Sequence, residues 1–188
     1  LAARSRQVIT ITRLIARQVA ADFEVDADLI SSIPGAIDPT WWAATEDDHA
    51  VADAPASSGP NAPLVFTWGR VQYEKGFQVL AHAMSLVRAE VPGVRCVIAG
   101  RGTYLAELQS QIDVAGVSDI VDLPGFISDN ALRAALHRAD CVVIPSLYEP
   151  FGVVTLEALA GGAALVAAET GGLAELVRGN GSALTFEP

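Results

Sequence analysis

The chain has 188 residues, enough for one well-packed core with a short appendage. Hydrophobic residues make up 51% of it and aromatic residues only 6%, so the core must consist mainly of Ala, Val, Leu and Ile, as is typical of buried parallel strands. The net charge of −10 argues against a nucleic-acid partner, because such a partner needs a basic surface.

The first residues of the chain predict a small unit of two strands and one helix. Apolar runs at residues 8–11 and 30–33 are expected to be strands, and residues 13–23 repeat apolar positions at helical spacing. Residues 43–63 are rich in Ala, Asp, Glu, Ser and Pro and have no apolar period. That composition predicts a linker or a mobile loop.

From residue 64 onward, short apolar runs alternate regularly with amphipathic stretches. The expected strands are residues 64–68, 94–99, 120–123, 141–144, 164–168 and 183–186, and the expected helices are residues 76–90, 104–115, 129–139, 153–160 and 173–178. This alternation predicts a doubly wound parallel α/β sheet with helices on both faces. Ligands bind at the carboxyl ends of the strands in such sheets, so the turns that follow the strands are the candidate site.

The two cysteines indicate the cellular compartment of the protein, and the ends of the chain indicate whether the sequence is complete. Cys96 and Cys141 lie far apart inside apolar runs, which favours two buried thiols in a reducing, cytoplasmic environment. No apolar run approaches the roughly 18 residues of a membrane span, and no signal peptide opens the sequence. Because the chain begins at Leu1 without an initiator Met and ends directly after an expected strand, we interpret it as a fragment.

The turn after the strand at residues 64–68 carries two cations. It has the sequence Gly69-Arg70-Val71-Gln72-Tyr73-Glu74-Lys75-Gly76. Glycine lets the backbone approach a ligand closely, while Arg offers phosphate oxygens a planar fork and Lys offers a mobile point charge. The alternative is a pair of ordinary surface cations with Glu74 as their ionic partner. At the carboxyl end of a parallel strand, the octet favours phosphate binding.

A second motif places two carboxylates around the start of a helix. It has the sequence Glu149-Pro-Phe-Gly-Val-Val-Thr-Leu-Glu157. Glu157 lies among apolar residues, where a carboxylate is costly unless it finds donors, and ribose hydroxyls would supply two. Free N–H groups near Phe151, Gly152 and Val153 would face an anion or a hydroxyl. The alternatives are a salt bridge from Glu157 to an Arg and an exposed loop acid at Glu149.

Other turns and side chains are less specific. Thr170-Gly171-Gly172 predicts either a close-approach amide site or a turn that serves packing only. Gly100-Arg101-Gly102 lacks the third glycine of a dinucleotide fingerprint and is interpreted as a turn lining the cleft. No spacing of Cys, His and acidic residues suits a metal, and the run Glu46-Asp47-Asp48 is interpreted as solvated charge. Ser146 has no evident His partner, so a hydrolase triad is not expected.

Together these motifs resemble those of a known family. Gly69-Arg70 with Lys75-Gly76, the run at residues 149–157, and Gly171-Gly172-Leu-Ala-Glu175 are similar to motifs of the retaining glycosyltransferases of family 4. These enzymes have the GT-B fold of two facing Rossmann-like domains. The resemblance is strongest to bacterial glycogen synthases and related α-glucan or mannosyl transferases.

The resemblance implies a division of the chain into three parts. Residues 1–38 would be the end of the acceptor-side domain with the hinge, residues 39–63 a linker, and residues 64–188 a C-terminally truncated nucleotide-sugar donor-binding domain. Family members usually carry Asn-Gly after the hinge proline, whereas Gly35-Ala36 follows Pro34 here. The rest of the acceptor-side domain and the C-terminal helices of the family are missing. We therefore expect these 188 residues to bind donor weakly without transferring sugar.

The resemblance also implies a role for each matching residue. Arg70 and Lys75 would bind the donor diphosphate and stabilise the departing nucleotide. Glu149 would contact the transferred sugar near the reacting carbon, and Glu157 would contact the ribose. The expected catalytic residues are Arg70, Lys75 and Glu149, and the expected donor-binding residues are Gly69, Gly125, Phe126, Ile127, Phe151, Gly152, Val153, Glu157, Thr170, Gly171 and Gly172.

The implied reaction moves a hexose, most readily glucose, from a donor such as UDP-glucose, ADP-glucose or GDP-mannose to a glycan or other acceptor with retention of configuration. No metal and no cofactor are expected, because two cations and a helix N-terminus can stabilise charge on a leaving diphosphate. The alternatives are a non-catalytic nucleotide-sugar-binding or regulatory module, a nucleotide-sugar epimerase and a nicotinamide-dependent dehydrogenase. The epimerase would need acids and histidines that are not evident, and the dehydrogenase would need the missing glycine fingerprint.

Overall fold

A short βαβ unit comes first among the described residues. The computed structural model describes residues 6–44, 62–179, 181 and 183–188. Strand β1 (Val8–Thr10) and strand β2 (Ile30–Ser32) pair in parallel, and helix α1 (Arg13–Phe23) connects them. Helix α1 begins where it does because the Thr12 hydroxyl accepts a hydrogen bond from the backbone N–H of Ile15, which caps the first turn.

Six parallel strands form the main sheet, in the order β5-β4-β3-β6-β7-β8. The strands are β3 (Leu64–Trp68), β4 (Arg95–Ala99), β5 (Val121–Gly125), β6 (Cys141–Ile144), β7 (Leu165–Ala168) and β8 (Leu184–Phe186), and the connecting helices are α3 (Phe77–Glu90), α4 (Leu105–Val114), α5 (Asp129–Arg138), α6 (Val153–Ala160) and α7 (Leu173–Val177). The doubly wound parallel sheet predicted from the sequence is confirmed.

Helices pack on both faces of the sheet and create two apolar clusters. On one face, α3 and α4 enclose Met84 and Ile112, both fully buried. On the other face, α5, α6 and α7 cover Phe66 and Val142. The first face is less completely covered, because beside α3 an apolar groove of about 600 Å³ reaches Phe186 of β8.

The cysteines differ in environment. Cys96 is fully buried, and burial raises the pKa of its thiol strongly. Cys141 is only half-buried, which corrects the expectation of two buried thiols. Cys141 is one of the residues that line the apolar groove beside α3.

The strand order reverses between β3 and β6, and this places the turns that follow these two strands side by side. A ligand crevice forms at such a switch point, outside the carboxyl ends of the strands. Residues 69–76 leave β3 and residues 145–152 leave β6, so the two motifs found in the sequence meet there.

The structure adds short elements that the sequence analysis did not predict. A 3-10 turn spans Tyr73–Lys75 within the cationic octet. A one-turn helix, α2 (Pro39–Trp42), occupies the start of the predicted 39–63 linker and packs against α6. Residues 45–61, with the acidic run Glu46-Asp47-Asp48, lie outside the described residues. In the part of the chain that is described, no helix combines the length and the apolar character that a membrane crossing requires.

Candidate functional site

An ion pair between Lys75 and Glu149 lies at the switch point. The Lys75 Nζ is 2.5 Å from Oε2 of Glu149, and the Ser146 hydroxyl lies 3.4 Å from the same oxygen. Glu149 is only 6% exposed, so its carboxylate depends on these donors. The sequence analysis considered Glu74 as a surface partner for a cation of this turn, but the partner of Lys75 is Glu149.

Backbone contacts hold the two motifs together. The carbonyl of Glu74 accepts hydrogen bonds from the N–H groups of Leu147 and Tyr148. Gly76 has φ +69°, and a Cβ at this position would lie 1.8 Å from the carbonyl oxygen of Pro145. Only glycine allows this approach, which sets Lys75 beside the Glu149 loop.

The turn after β7 holds Glu149 from its other side. The Gly172 N–H donates to the Glu149 carbonyl at 2.7 Å, and the Thr170 hydroxyl donates to the Leu147 carbonyl. A Cβ on Gly171 would lie 2.2 Å from the Glu149 carbonyl oxygen. Since the Thr170 N–H bonds to Ala168, only Gly171 of the three residues keeps an amide without an acceptor among the described residues. The N–H groups of Thr170 and Gly172 are thus used within the protein, and a ligand contact of these three residues stays a prediction.

A cleft of about 270 Å³ opens at the carboxyl ends of β3, β4 and β5. It is lined by Trp68, Gly69, Arg70, Ala99, Gly100, Arg101, Phe126, Ile127 and Leu132. Arg70 is exposed at its edge and makes no hydrogen bond or ion pair with any described residue. The Phe126 ring is 63% exposed, and the Arg101 guanidinium lies over it at 5.3 Å from the ring centroid. The cleft therefore combines apolar walls with two guanidinium groups.

Glu157 is connected to this cleft by a hydrogen bond with Trp68, one of the residues that line it. The Trp68 indole N–H donates to Oε2 of Glu157 at 3.0 Å, across 89 residues of sequence. Burial raises the pKa of Glu157, the hydrogen bond from Trp68 lowers it in part, and the nearby charge of Asp129 adds to the increase. The alternative of a salt bridge between Glu157 and an Arg is not what the structure shows.

The start of α6 offers unused backbone donors. Gly152 has φ +95° and caps the helix without a side-chain acceptor. Among the described residues, no acceptor pairs with the N–H groups of Phe151, Gly152 and Val153. Free N–H groups at a helix start attract anions and hydroxyls, so these three residues can bind such a group, and their role in donor binding stays a prediction.

A second, larger cleft lies between α1 and the turns that follow β6 and β7. It has a volume of about 670 Å³, and Phe151, Gly171 and Gly172 line it. On its far wall the Glu175 carboxylate accepts hydrogen bonds from the backbone N–H groups of Arg13 and Leu14, 3.2 and 2.8 Å away. Glu175 thus joins α7 to the first turn of α1.

The structure distributes many of the predicted residues over two separate clefts. Gly69, Arg70, Phe126 and Ile127 line the smaller cleft, with Gly125 ending the strand beside it. The ion pair and Glu157 line neither cleft.

The sequence analysis missed Trp68 as a member of the site. Its position as the last residue of β3, at the carboxyl edge, was a signal that could have found it.

The described residues contain no group of three or more His, Cys, Asp and Glu side chains that could hold a metal ion.

Comparisons with known proteins identify related sequences. Residues 52–188 match the family model for glycosyl transferases group 1. An uncharacterized glycosyltransferase of Methanocaldococcus jannaschii is 34% identical over 179 residues, which cover 93% of this chain and 45% of that protein. The glycogen synthase of Mycobacterium tuberculosis is 42% identical over 120 residues, which cover 64% of this chain and 28% of that protein.

The fold is similar to the crystal structure of Anabaena Alr3699/HepE in complex with UDP-glucose. The TM-score is 0.83 at 25% identity, and the match covers 98% of this chain and 50% of that one. This chain spans half the length or less of these proteins.

Proposed function

Because the chain belongs to the glycosyl transferases group 1 family, we propose that it is the nucleotide-sugar-binding half of a retaining hexosyltransferase of family 4. The observation that carries the proposal is the position of two cations in the turn after β3: Lys75 pairs with Glu149 at the switch point, and Arg70, which has no partner among the described residues, lines the smaller cleft. Arg70 and Lys75 are both positively charged in a chain of net charge −10, and two such cations are suited to binding a diphosphate.

The donor diphosphate is proposed to lie between Arg70 and Lys75, facing the free N–H groups at the start of α6. In group transfer from a nucleotide sugar, negative charge develops on the departing diphosphate, and preorganised donors stabilise that charge. The two cations and the amides of Gly152 and Val153 supply such donors from the chain's own residues. No metal is required in this proposal.

Glu149 is proposed to contact the transferred sugar and Glu157 the ribose. The Glu149 carboxylate is held by Lys75, and Gly171 lies against the Glu149 backbone, so a sugar hydroxyl placed at the carboxylate would meet an acceptor of fixed position. The base is proposed to enter the smaller cleft, between Phe126 and Ile127 on one side and Gly69 on the other.

The donor sugar and the acceptor are proposals that rest on the relatives. Glucose is favoured because the similar proteins include a glycogen synthase and a protein crystallised with UDP-glucose. Since this chain spans half or less of the length of those proteins, the glycan acceptor is proposed to bind mainly to a part that these 188 residues do not contain. A cytoplasmic location, where such donors occur, is part of the same proposal.

Isothermal titration calorimetry with UDP-glucose, ADP-glucose, GDP-mannose and NADH tests the proposal. At least one of the three nucleotide sugars should bind to the 188-residue chain, and sugar transfer to a glycan should be absent. Binding of NADH without binding of any nucleotide sugar would show that the proposal is wrong.

A further inference from the structure

Trp68 holds a fixed position at the wall of the smaller cleft. It is the last residue of β3, the residue is 9% exposed, and its ring stacks on Phe66 with ring centroids 5.2 Å apart and planes 20° apart. Its indole N–H points at Glu157 Oε2, 3.0 Å away. The donor is thus an aromatic group whose orientation is set by packing, not a flexible side chain.

One carboxylate oxygen of Glu157 accepts a hydrogen bond from Trp68, and the other is available to accept one from a ligand. Oε1 makes no hydrogen bond with any residue that the structure describes, while Oε2 accepts from the indole. The residue is half-buried on α6, and a carboxylate in such surroundings needs further donors. The fixed indole leaves the free oxygen to a ligand that brings its own hydroxyl.

We propose that Trp68 is a positioning residue, which orients Glu157 toward the ribose of the donor and so makes the site select ribonucleotides over 2′-deoxyribonucleotides. This inference rests on the proposed function, because it takes the smaller cleft as the nucleotide site. Trp68 itself needs no contact with the hydroxyl; it acts by fixing the carboxylate that accepts from the 2′-OH.

A purely structural role for Trp68 makes a different prediction. A phenyl ring at position 68 would also fill the core and stack on Phe66, but it has no N–H for Glu157. Trp68→Phe therefore removes the donor and keeps most of the packing. If Trp68 only supports the core, this change affects both kinds of nucleotide equally.

The test measures dissociation constants by isothermal titration calorimetry. UDP, ADP and GDP are titrated first, and the tightest of them is then compared with its 2′-deoxy counterpart. The wild-type chain should favour the ribonucleotide by about tenfold, as expected for one hydrogen bond to a charged group. Trp68→Phe should reduce this preference to about twofold or less by weakening ribonucleotide binding, with 2′-deoxyribonucleotide binding nearly unchanged.

Trp41→Phe is the matched control, because Trp41 lies on α2 and stacks on Trp42 outside the cleft. It should retain the full preference. If the wild type binds none of the three diphosphates, the proposed function fails. If the wild type prefers the ribonucleotide and Trp68→Phe keeps that preference, or loses affinity for both nucleotides equally, the role of Trp68 is overturned while the proposed function stands.

A measurement on the unmutated side chain covers the case in which Trp68→Phe does not fold. The indole ¹⁵N–H signal of Trp68 can be assigned by elimination with Trp41→Phe and Trp42→Phe. It should move on addition of the ribonucleotide and move much less with the 2′-deoxyribonucleotide. Equal shifts with both nucleotides would overturn the inference.

Discussion

At the residue scale, the buried carboxylate of Glu149 depends on the ammonium of Lys75. Removing one partner of a buried ion pair leaves the other charge uncompensated, which typically costs about 3–5 kcal/mol. Lys75→Ala should therefore destabilise the chain by about this amount in urea unfolding. The double variant Lys75→Ala/Glu149→Gln should recover part of the loss, because it removes the stranded charge.

The matched control is Arg88→Ala. Arg88 pairs with Asp119 on the surface, where both side chains are well exposed, and such pairs contribute about 1 kcal/mol or less. Equal losses of stability in Lys75→Ala and Arg88→Ala would contradict the buried character assigned to the Lys75–Glu149 pair.

Glu157 should make the stability of the chain depend on pH in a specific sense. Burial raises its pKa above the ordinary value of 4.5, and the hydrogen bond from Trp68 offsets the increase in part. A carboxyl whose pKa is higher in the folded chain contributes stability that is fully present below its unfolded pKa and lost as the pH rises through its folded pKa. Glu157→Gln should therefore gain stability relative to the wild type as the pH rises above about 4.5.

Urea unfolding from pH 4 to pH 8 would measure this difference. Trp68→Phe should enlarge the pH-dependent loss, because it removes the hydrogen bond that lowers the pKa of Glu157. Parallel stability profiles for Glu157→Gln and the wild type would show that the pKa of Glu157 is not raised.

At the scale of elements, the site depends on how closely the turns after β3 and β6 approach each other. Gly76→Ala would place a Cβ 1.8 Å from the Pro145 carbonyl oxygen, in addition to the left-handed backbone at φ +69°. The turns must separate to relieve this contact. We expect a loss of about 3 kcal/mol or more in unfolding free energy, together with weaker nucleotide binding, since Lys75 moves with the turn.

Gly116→Ala separates the two effects. Gly116 has φ +67°, but a Cβ there would meet no atom within 4 Å, so only the conformational cost of about 1–2 kcal/mol applies. Nucleotide affinity should stay at the wild-type value. If Gly76→Ala and Gly116→Ala were equally stable and bound nucleotide equally well, the close approach of the two turns would not matter.

The alternation of strands and helices after residue 64 could be predicted from sequence because each strand is a short apolar run and each helix repeats apolar positions at its own period. The contacts between turns could not. The hydrogen bond between Trp68 and Glu157 joins two residues that are 89 positions apart in the sequence, and no local pattern contains both. The acceptors of the Thr170 and Gly172 amides were likewise not evident, because one of them is the backbone of Glu149.

The helix α2 shows a local signal that the sequence analysis passed over. Four residues are too short for an apolar period, but Asp38 accepts from the Thr40 N–H and Pro39 occupies the first helical position. Both are typical of a helix start. The linker was predicted from composition alone, and these two local signals at its start were not considered. The start of the predicted linker is therefore a helix in the structure.

At the scale of the whole molecule, the charge of the chain and the charge of the site have opposite signs. The net charge is −10, yet Arg70 and Arg101 line the smaller cleft and Lys75 lies at the switch point. Fixed local cations act over a few ångströms, while the field of distant surface charges is screened within about 10 Å at moderate ionic strength. An acidic molecule can therefore hold a diphosphate if its cations are placed at the binding cleft.

The βαβ unit and the main sheet are joined by contacts that also shape the larger cleft. Glu175 of α7 accepts hydrogen bonds from the start of α1, and Gly172 packs against the Thr12 methyl group. The turn that contacts Glu149 therefore also contacts the N-terminal unit. A sugar bound at Glu149 is proposed to lie within reach of both parts of the chain.

The most direct test of the account is the affinity of Arg70→Ala for a nucleotide sugar, measured by calorimetry beside its unfolding free energy. Arg70 has no partner among the described residues, so its removal should leave stability unchanged, whereas one lost charge-assisted contact should weaken binding by about 1.5–3 kcal/mol. Arg88→Ala, on the far end of α3, should bind as the wild type does. Wild-type affinity in Arg70→Ala would contradict the claim that this turn holds the donor diphosphate.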